Sequence, residues 1–389
     1  MGESGTGKWA AMRAEMPVTS HWAYLDHAAV APLPRPTAAA MKAWIDQAAE
    51  SGDTVWPAWQ QNLNTLRQLV ADLIHADPDE LALVANTTTG VNLVAEGFPW
   101  RAGDNVVLLA NEFPSNQYPW LNQQRRGVEV RRVEVESGRV DLERIAAQID
   151  GRTRIVALSW VGYASGYRID VAEVAALAHR HGALLFLDAI QGLGIFPLDV
   201  RAAEVDFLAA DGHKWMLGPE GAGISYIRRE LLDLLAPLGV GWNSVQQAHD
   251  FQRIALELRP TAQRYEGGSH NMIGLWGLAA SLSFLTSHGV SSTRSEVAER
   301  IGDLVGLAAD LLQNIGARPI GPWEPPHGAG ILSFELPGVD LRQVRRQCEQ
   351  RGVVLSVRGG HLRISPHAYN NREDLERMVA ALIDIRQAG

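Results

Sequence analysis

The chain has 389 residues, 46% of them hydrophobic, which exceeds the usual ~100–200 residues of one domain and excludes a small stapled scaffold. With 35 Lys and Arg against 44 Asp and Glu the net charge is −9, which argues against a nucleic-acid or anionic-membrane partner held by bulk electrostatics. The lone cysteine, Cys348, permits no internal disulfide; no run reaches the ~18–20 apolar residues of a membrane span and no signal-peptide pattern opens the chain, so a cytoplasmic location is expected.

At the N-terminus, Gly2 to Trp9 (GESGTGKW) nearly matches a phosphate-binding loop. Trp9 stands where the magnesium-holding hydroxyl belongs, and no strand can precede a loop that begins at residue 2. A disordered or arm-like terminus over 1–23 is expected, with a nucleotide hydrolase resting on Lys8 as the competing enzyme class. From Leu81 onward short apolar runs alternate with helical patterns: Leu81 to Ala85, Asn105 to Ala110, Arg154 to Ser159, Ala183 to Leu187, Asp206 to Ala209 and Gly223 to Ile227. Such runs read as buried strands of a mostly parallel sheet, with Val171 to His181 as a crossover helix stopped at Gly182. This α/β region is predicted to fill a large domain over 24–275. A smaller α+β domain over 276–389 is predicted from a helix near Val297 to Ile315, strands near Ile331 to Leu336, Val353 to Val357 and His361 to Ile364, and a closing helix near Arg372 to Arg386.

The chemistry lies at strand ends. Lys214, in Asp211-Gly212-His213-Lys214, follows one apolar run and precedes a glycine-rich turn, a suitable place for an imine with an aldehyde cofactor. Asp188 follows another, where a carboxylate is costly to bury without a cationic or hydrogen-bonding partner. A protonated pyridine nitrogen is such a partner, and Gln191 would donate to the ring's phenolic oxygen; a helix N-cap is the structural alternative for Asp188. Asn86-Thr87-Thr88-Thr89-Gly90 opens a helix after a strand, which suits either a phosphate site or a plain capping motif.

With Asp188, Gln191, His213-Lys214 and the Thr87–Gly90 turn in this order, the chain resembles the class V aminotransferase family from about Tyr24 almost to its C-terminus. The resemblance implies a fold-type I enzyme dependent on pyridoxal 5′-phosphate and acting at Cα or Cβ of an amino-acid substrate bound to the cofactor as a Schiff base. It also implies a homodimer with active sites at the interface; no metal is expected and, from the charge and the lack of a membrane-length apolar run, no nucleic-acid or membrane partner. By the same resemblance Lys214 is the Schiff-base lysine, Asp188 the pyridine partner and Gln191 the residue at the phenolic oxygen. Thr87, Thr88, Thr89 and His213 belong at the phosphate, with Ser269 of Glu266-Gly267-Gly268-Ser269-His270 reaching the neighbouring subunit's phosphate. Arg363 would grip the substrate carboxylate, and His27, Arg358, Trp242, His361 and Tyr369 fall near the entrance. Trp56, Trp59 and Trp120 are further candidates for an aromatic pocket wall.

Departures narrow the reaction. Phe113 stands where the desulfurases of this family carry a histidine over the cofactor, and phenylalanine stacks but cannot move a proton. Tyr163 replaces a family asparagine, and Asp211 replaces a serine on the phosphate, where a carboxylate would repel it. No cysteine lies in Arg358-Gly359-Gly360-His361-Leu362-Arg363, and Cys348 falls on the preceding helix-like run, so the desulfurases' persulfide chemistry on an enzyme cysteine is not expected. Transamination, β-elimination of the C–S lyase type and epimerisation all begin with loss of the Cα proton, and a catalytically inactive cofactor-binding protein is the non-enzyme alternative.

Overall fold

Val106 and Leu108 point to one side of their strand and Val107 and Leu109 to the other, and all four are buried, in separate apolar cores. A strand apolar on both sides belongs inside a sheet covered by helices on both faces. The computed structural model, which describes residues 3–388, contains that sheet. Its seven strands run, edge to edge, Leu81–Val84, Gly223–Ile227, Phe207–Asp211, Leu184–Asp188, Thr153–Ser159, Asn105–Leu109 and Glu129–Val133. Gly223–Ile227 is antiparallel to both neighbours; the other pairings are parallel. Helix Thr87–Gly97 packs Val91 and Val94 onto one face with Val106 and Phe186. Helix Val171–Arg180 packs Val174 and Leu177 onto the other with Val107 and Leu187.

The predicted apolar runs fall on strands to within about two residues, the ordinary uncertainty of element ends. Asp188 and Asp211 close their strands, so both carboxylates stand at the carboxyl edge of the sheet. Two predictions need correction. The run Val353 to Val357 divides into Val353–Val354, which pairs with Ala23–Tyr24, and Ser356–Arg358, which joins the small sheet. Of the two readings of the terminus, disordered or arm-like, the disordered one fails, because Glu3–Ala14 form a helix; Met1 and Gly2 lie outside the described residues. Lys8 pairs with Glu296 at 2.8 Å, Arg13 with Asp374 at 2.7 Å, and Met12 is buried. A lysine spent on a helix–helix ion pair, on a helix rather than a loop, has no phosphate-binding nest around it.

Helix Met272–Ser287 packs on helices Arg35–Ser51 and Trp56–Ile74, whereas helix Glu296–Asn314 packs on the C-terminal helix Arg372–Ala388. A four-stranded antiparallel sheet follows, in the order Ser356–Arg358, His361–Ile364, Leu332–Glu335 and Arg318–Ile320. Gly359 and Gly360 join its first two strands, with Arg358 opposite His361 and both glycines at positive φ (56° and 81°). That two-residue turn matches the right-handed twist of the strands and is open to glycine because it has no Cβ to clash. It sets Arg358 and Arg363 at the edge of a cavity beside the seven-stranded sheet.

Candidate active site

A cavity of about 260 Å³ opens at the carboxyl ends of the parallel strands, where open α/β sheets bind their ligands. Thr87, Thr88, Phe113, Asp188, Gln191, His213, Lys214, Arg358 and Arg363 all line it, with Ser159, Tyr163 and Asp211 beside them. The structure therefore gathers most of the predicted residues into one chamber. Apolar contributions come from Ala28, Ala29, Val161 and Ile190.

Lys214 is buried, and its amine is pushed down to about 8 by burial, against the opposing pull of Asp188. The charges of Arg363 and Arg358 push the same way as burial. Its Nζ lies 5.6 Å from the centre of the Phe113 ring, which meets Tyr163 edge-on at 5.3 Å. Asp188 is buried too, and burial pushes its carboxyl up to about 6 against the Ile190 N–H and the Lys214 charge. Its one hydrogen bond comes from the Ile190 N–H at 3.1 Å, and among the described residues no cationic side chain lies within ion-pair distance. A carboxylate so placed calls for a cation from outside the chain.

The phosphate-like end is built by the helix that starts at Thr87. Asn86 caps it by accepting from the Thr89 N–H at 2.9 Å, and the same oxygen takes the Thr89 hydroxyl at 3.1 Å. Thr89 is thus spent on the cap and lies outside the cavity lining, unlike its two predecessors. The Thr87 hydroxyl accepts from the Asp211 N–H at 3.0 Å and Thr88 donates to Ser115 at 2.9 Å. Gly90 lets the helix lie against the sheet, since a Cβ there would sit 2.6 Å from that of Ala209. Asp211 turns one carboxylate oxygen to within 2.9 Å of His213 Nδ1, an electrostatic contact in which the ring N–H is not aligned for a hydrogen bond.

Gln191 is held at both ends, accepting from the Trp215 indole at 2.8 Å and donating to the Ala28 carbonyl at 2.9 Å. Arg363 is fully buried: Nε donates to Ser356, Nη1 to the Tyr163 carbonyl at 2.6 Å, and Nη2 to Asp26 at 3.0 Å. Arg358 bonds only its neighbour's carbonyl, that of Val357 at 3.0 Å, and has no carboxylate partner among the described residues. Glu112 lies behind the wall, accepting from the Ser159 N–H at 2.8 Å and from its hydroxyl. Burial raises the Glu112 carboxyl to about 7, with Asp188 adding to the effect.

Other candidates fall elsewhere. The expectation that His27 meets substrate does not fit its place, because the ring is wholly buried outside the cavity lining. Its Nδ1 is engaged by the Ser365 carbonyl at 2.9 Å and its Nε2 by the Tyr369 hydroxyl at 2.8 Å, and burial pushes the ring down to about 4. Tyr369 is consumed by the same contact, and His361 and Trp242 do not line the cavity. Trp59 packs with Trp44 and Trp56, and Trp120 against Phe186, which is core packing rather than a pocket wall. Ser269 is exposed and outside this chamber. Glu112, Trp215 and Asp26 were not singled out by sequence reasoning, although each adjoins a candidate, Phe113, Lys214 and His27 respectively.

The set fits pyridoxal phosphate on the structure's own terms: a buried amine brought toward neutrality, a buried carboxylate short of a cation, and a helix N-terminus with hydroxyls at the same chamber. Fold and cavity together define a fold-type I enzyme that depends on this cofactor. The family model described as Aminotransferase class-V matches residues 23–379. A probable cysteine desulfurase of Methanothermobacter thermautotrophicus is 31% identical, covering 97% of this chain and 98% of its own. Among solved structures, the Escherichia coli cysteine desulfurase CsdA superposes with a TM-score of 0.87 at 25% identity, covering 98% of both chains. The cystine C–S lyase C-DES, in complex with its product cysteine persulfide, superposes at 0.89 and 25% identity, covering 95% of this chain and 99% of that one. The chain belongs to the class V aminotransferase family.

Proposed function

We propose that the protein is a C–S lyase acting on a sulfur-substituted amino acid, releasing the sulfur as a thiol or persulfide together with pyruvate and ammonia, and that it uses no cysteine of its own. The carrying observation is the absence of a usable thiol. Cys348 is wholly buried on helix Leu341–Gln350, and burial pushes it up to about 11, so that almost none is thiolate at neutral pH. The segment between Arg358 and Arg363 is closed by the Gly359-Gly360 turn, with no loop to carry a nucleophile. The likeness to a cystine C–S lyase over nearly the whole chain supports the same reading.

Pyridoxal phosphate, when bound, supplies the electron sink that accepts the Cα electrons. Lys214 would hold it, and its amine, brought to about 8 by burial, would be poised as a free base to take the Cα proton near neutral pH. Asp188 would keep the ring nitrogen protonated, and Gln191 would donate to the phenolic oxygen. Thr87, Thr88, His213 and the helix N-terminus would hold the phosphate, and Phe113 would cover the ring. Arg363, locked by Asp26 and the Tyr163 carbonyl, keeps N–H groups free of those contacts for the substrate carboxylate, and Arg358 adds a second cation at the same wall. Overall, water is consumed as the Cβ–S bond and the C–N bond break, and the sulfur leaves with a proton.

The working unit in this reading is a homodimer, with Ser269 turned toward a partner's site. Gly267 accepts from the Asn243 N–H at 3.3 Å, so the strip before Ser269 packs on the loop that carries exposed Phe251, Ile254 and Leu256. Among the described residues no helix is long and apolar enough to cross a membrane, and a single unpaired cysteine suits the reducing cytoplasm.

The test is to supply cystine and S-substituted cysteines and to measure pyruvate, ammonia and sulfur products with the wild type and Cys348→Ala. Equal release of pyruvate and ammonia, unchanged in the variant, is expected. Alanine as the product, with turnover lost in Cys348→Ala, would overturn the reading.

A further inference from the structure

Gln191 is an amide, and an amide can present either its oxygen or its nitrogen to a ligand. In this chain the choice is made by two partners that cannot be reversed. The Trp215 indole is a donor only, and its Nε1 lies 2.8 Å from Gln191 Oε1. The Ala28 carbonyl is an acceptor only, and it lies 2.9 Å from Gln191 Nε2. A flipped amide would set N–H against N–H and oxygen against oxygen, with Gln191 itself buried where water cannot relieve either clash.

Trp215 is in turn held by packing. It is fully buried, with its ring 6.2 Å from that of His27 and 6.1 Å from that of His367. A Cβ at Gly330 would come within 2.7 Å of the indole, so the backbone there also presses on the ring. His27 is fixed by Ser365 and Tyr369, so the indole has a rigid neighbour on that side.

We infer that Trp215 is a positioning residue for the cofactor: its indole N–H latches Gln191 so that the amide faces the chamber as a donor and never as an acceptor. This rests on the reading that Gln191 meets the cofactor's phenolic oxygen. Of the two N–H bonds on Gln191 Nε2, one is spent on Ala28, and the other is left for the chamber that Gln191 lines. Donation to the phenolic oxygen favours its anionic form. That weakens the hold on the proton it shares with the Lys214 nitrogen, so the proton leaves at lower pH. Without the latch the amide is free to turn its oxygen inward, and the proton is held to higher pH.

The measurement is the midpoint of the pH-dependent change in visible absorption of the loaded enzyme, with no substrate. Trp215→Phe removes the N–H. Because the smaller ring also leaves a gap, a second variant carries benzothienylalanine at position 215, which keeps the bicyclic shape and lacks only the N–H. In both, the midpoint is expected to rise by about one pH unit, the scale of one hydrogen bond to a charged group. Gln191→Ala should raise it in the same direction, and combining Gln191→Ala with the position-215 change should add nothing further. An unmoved midpoint in the benzothienylalanine protein, with Gln191→Ala shifted, would overturn the latch and keep the Gln191 reading. An unmoved midpoint in Gln191→Ala would overturn both.

Discussion

Lys214 is a lysine with the protonation behaviour of a much weaker base, and the cause lies in its surroundings. Burial and the guanidinium groups of Arg363 and Arg358 disfavour the ammonium, and Asp188 offsets only part of that, which leaves the amine at about 8. Only a neutral amine attacks an aldehyde. At pH 8 about half of the Lys214 side chains are neutral, whereas an ordinary lysine near 10.4 is neutral in fewer than about one molecule in a hundred. The expected outcome is that cofactor-free protein rebinds pyridoxal phosphate, followed by borohydride-stable labelling of Lys214, at a rate that rises with pH and levels off above about pH 8. A rate still climbing steeply at pH 10 would show an amine left at its ordinary value. Sequence order marked Asp188 because it ends an apolar run, so that burial and charge were visible together, and Lys214 because it follows another strand and precedes a glycine-rich turn. Trp215 and Glu112 escaped notice because their importance comes from what they touch: an indole on Gln191, and a carboxyl on the Ser159 N–H.

At the scale of elements, the site depends on a buried charge cluster beneath the strand Leu81–Val84. Glu266 accepts from the Leu83 N–H at 2.7 Å and from Arg67 at 2.5 Å, and lies 3.0 Å from His270 Nε2. Burial alone would raise its carboxyl; Arg67 and His270 outweigh that and hold it down at about 2. A depressed folded value means that its stabilising effect is present above the ordinary carboxylate range and is lost as pH falls through about 2. Glu266→Ala leaves Arg67 buried and unpaired, which costs about 3–5 kcal/mol and should lower the melting temperature of the cofactor-free protein by several degrees. Changing Arg67 and Glu266 together to Met and Leu should recover much of that loss, an outcome that a simple packing defect would not give. The edge strand Glu129–Val133 illustrates what periodicity could not find: its residues are mostly solvent-facing, and Glu-Val-Arg-Arg-Val has no buried run to betray it. The strands beneath the site were legible because both of their faces are apolar. The helix Glu3–Ala14 was hidden for the reverse reason, since its hold on the fold comes from ion pairs to Glu296 and Asp374, distant in sequence.

At the scale of the whole molecule, three exposed apolar side chains bear on the proposed homodimer. Phe251 is 71% exposed, Ile254 93% and Leu256 74%, on the loop that packs against the strip leading to Ser269. Lone exposed apolar residues are ordinary, but three within six positions of one another, beside a serine expected to serve a partner's phosphate, are where the proposed homodimer would bury surface. Fully burying one isoleucine is worth roughly 1.5–3 kcal/mol, and a glutamate forced into the same place would add a desolvation cost without a partner. Ile254→Glu should therefore weaken self-association by at least about tenfold per 1.4 kcal/mol lost, read as a shift from dimer toward monomer in sedimentation at micromolar concentration. In a monomer the same change, at a side chain already 93% exposed, would leave the sedimentation, the melting curve and cofactor retention as they were. In a dimer that completes its sites across the interface, cofactor retention should fall in step with dissociation and return as protein concentration is raised, because Ile254 does not line the chamber and acts on the cofactor only through assembly.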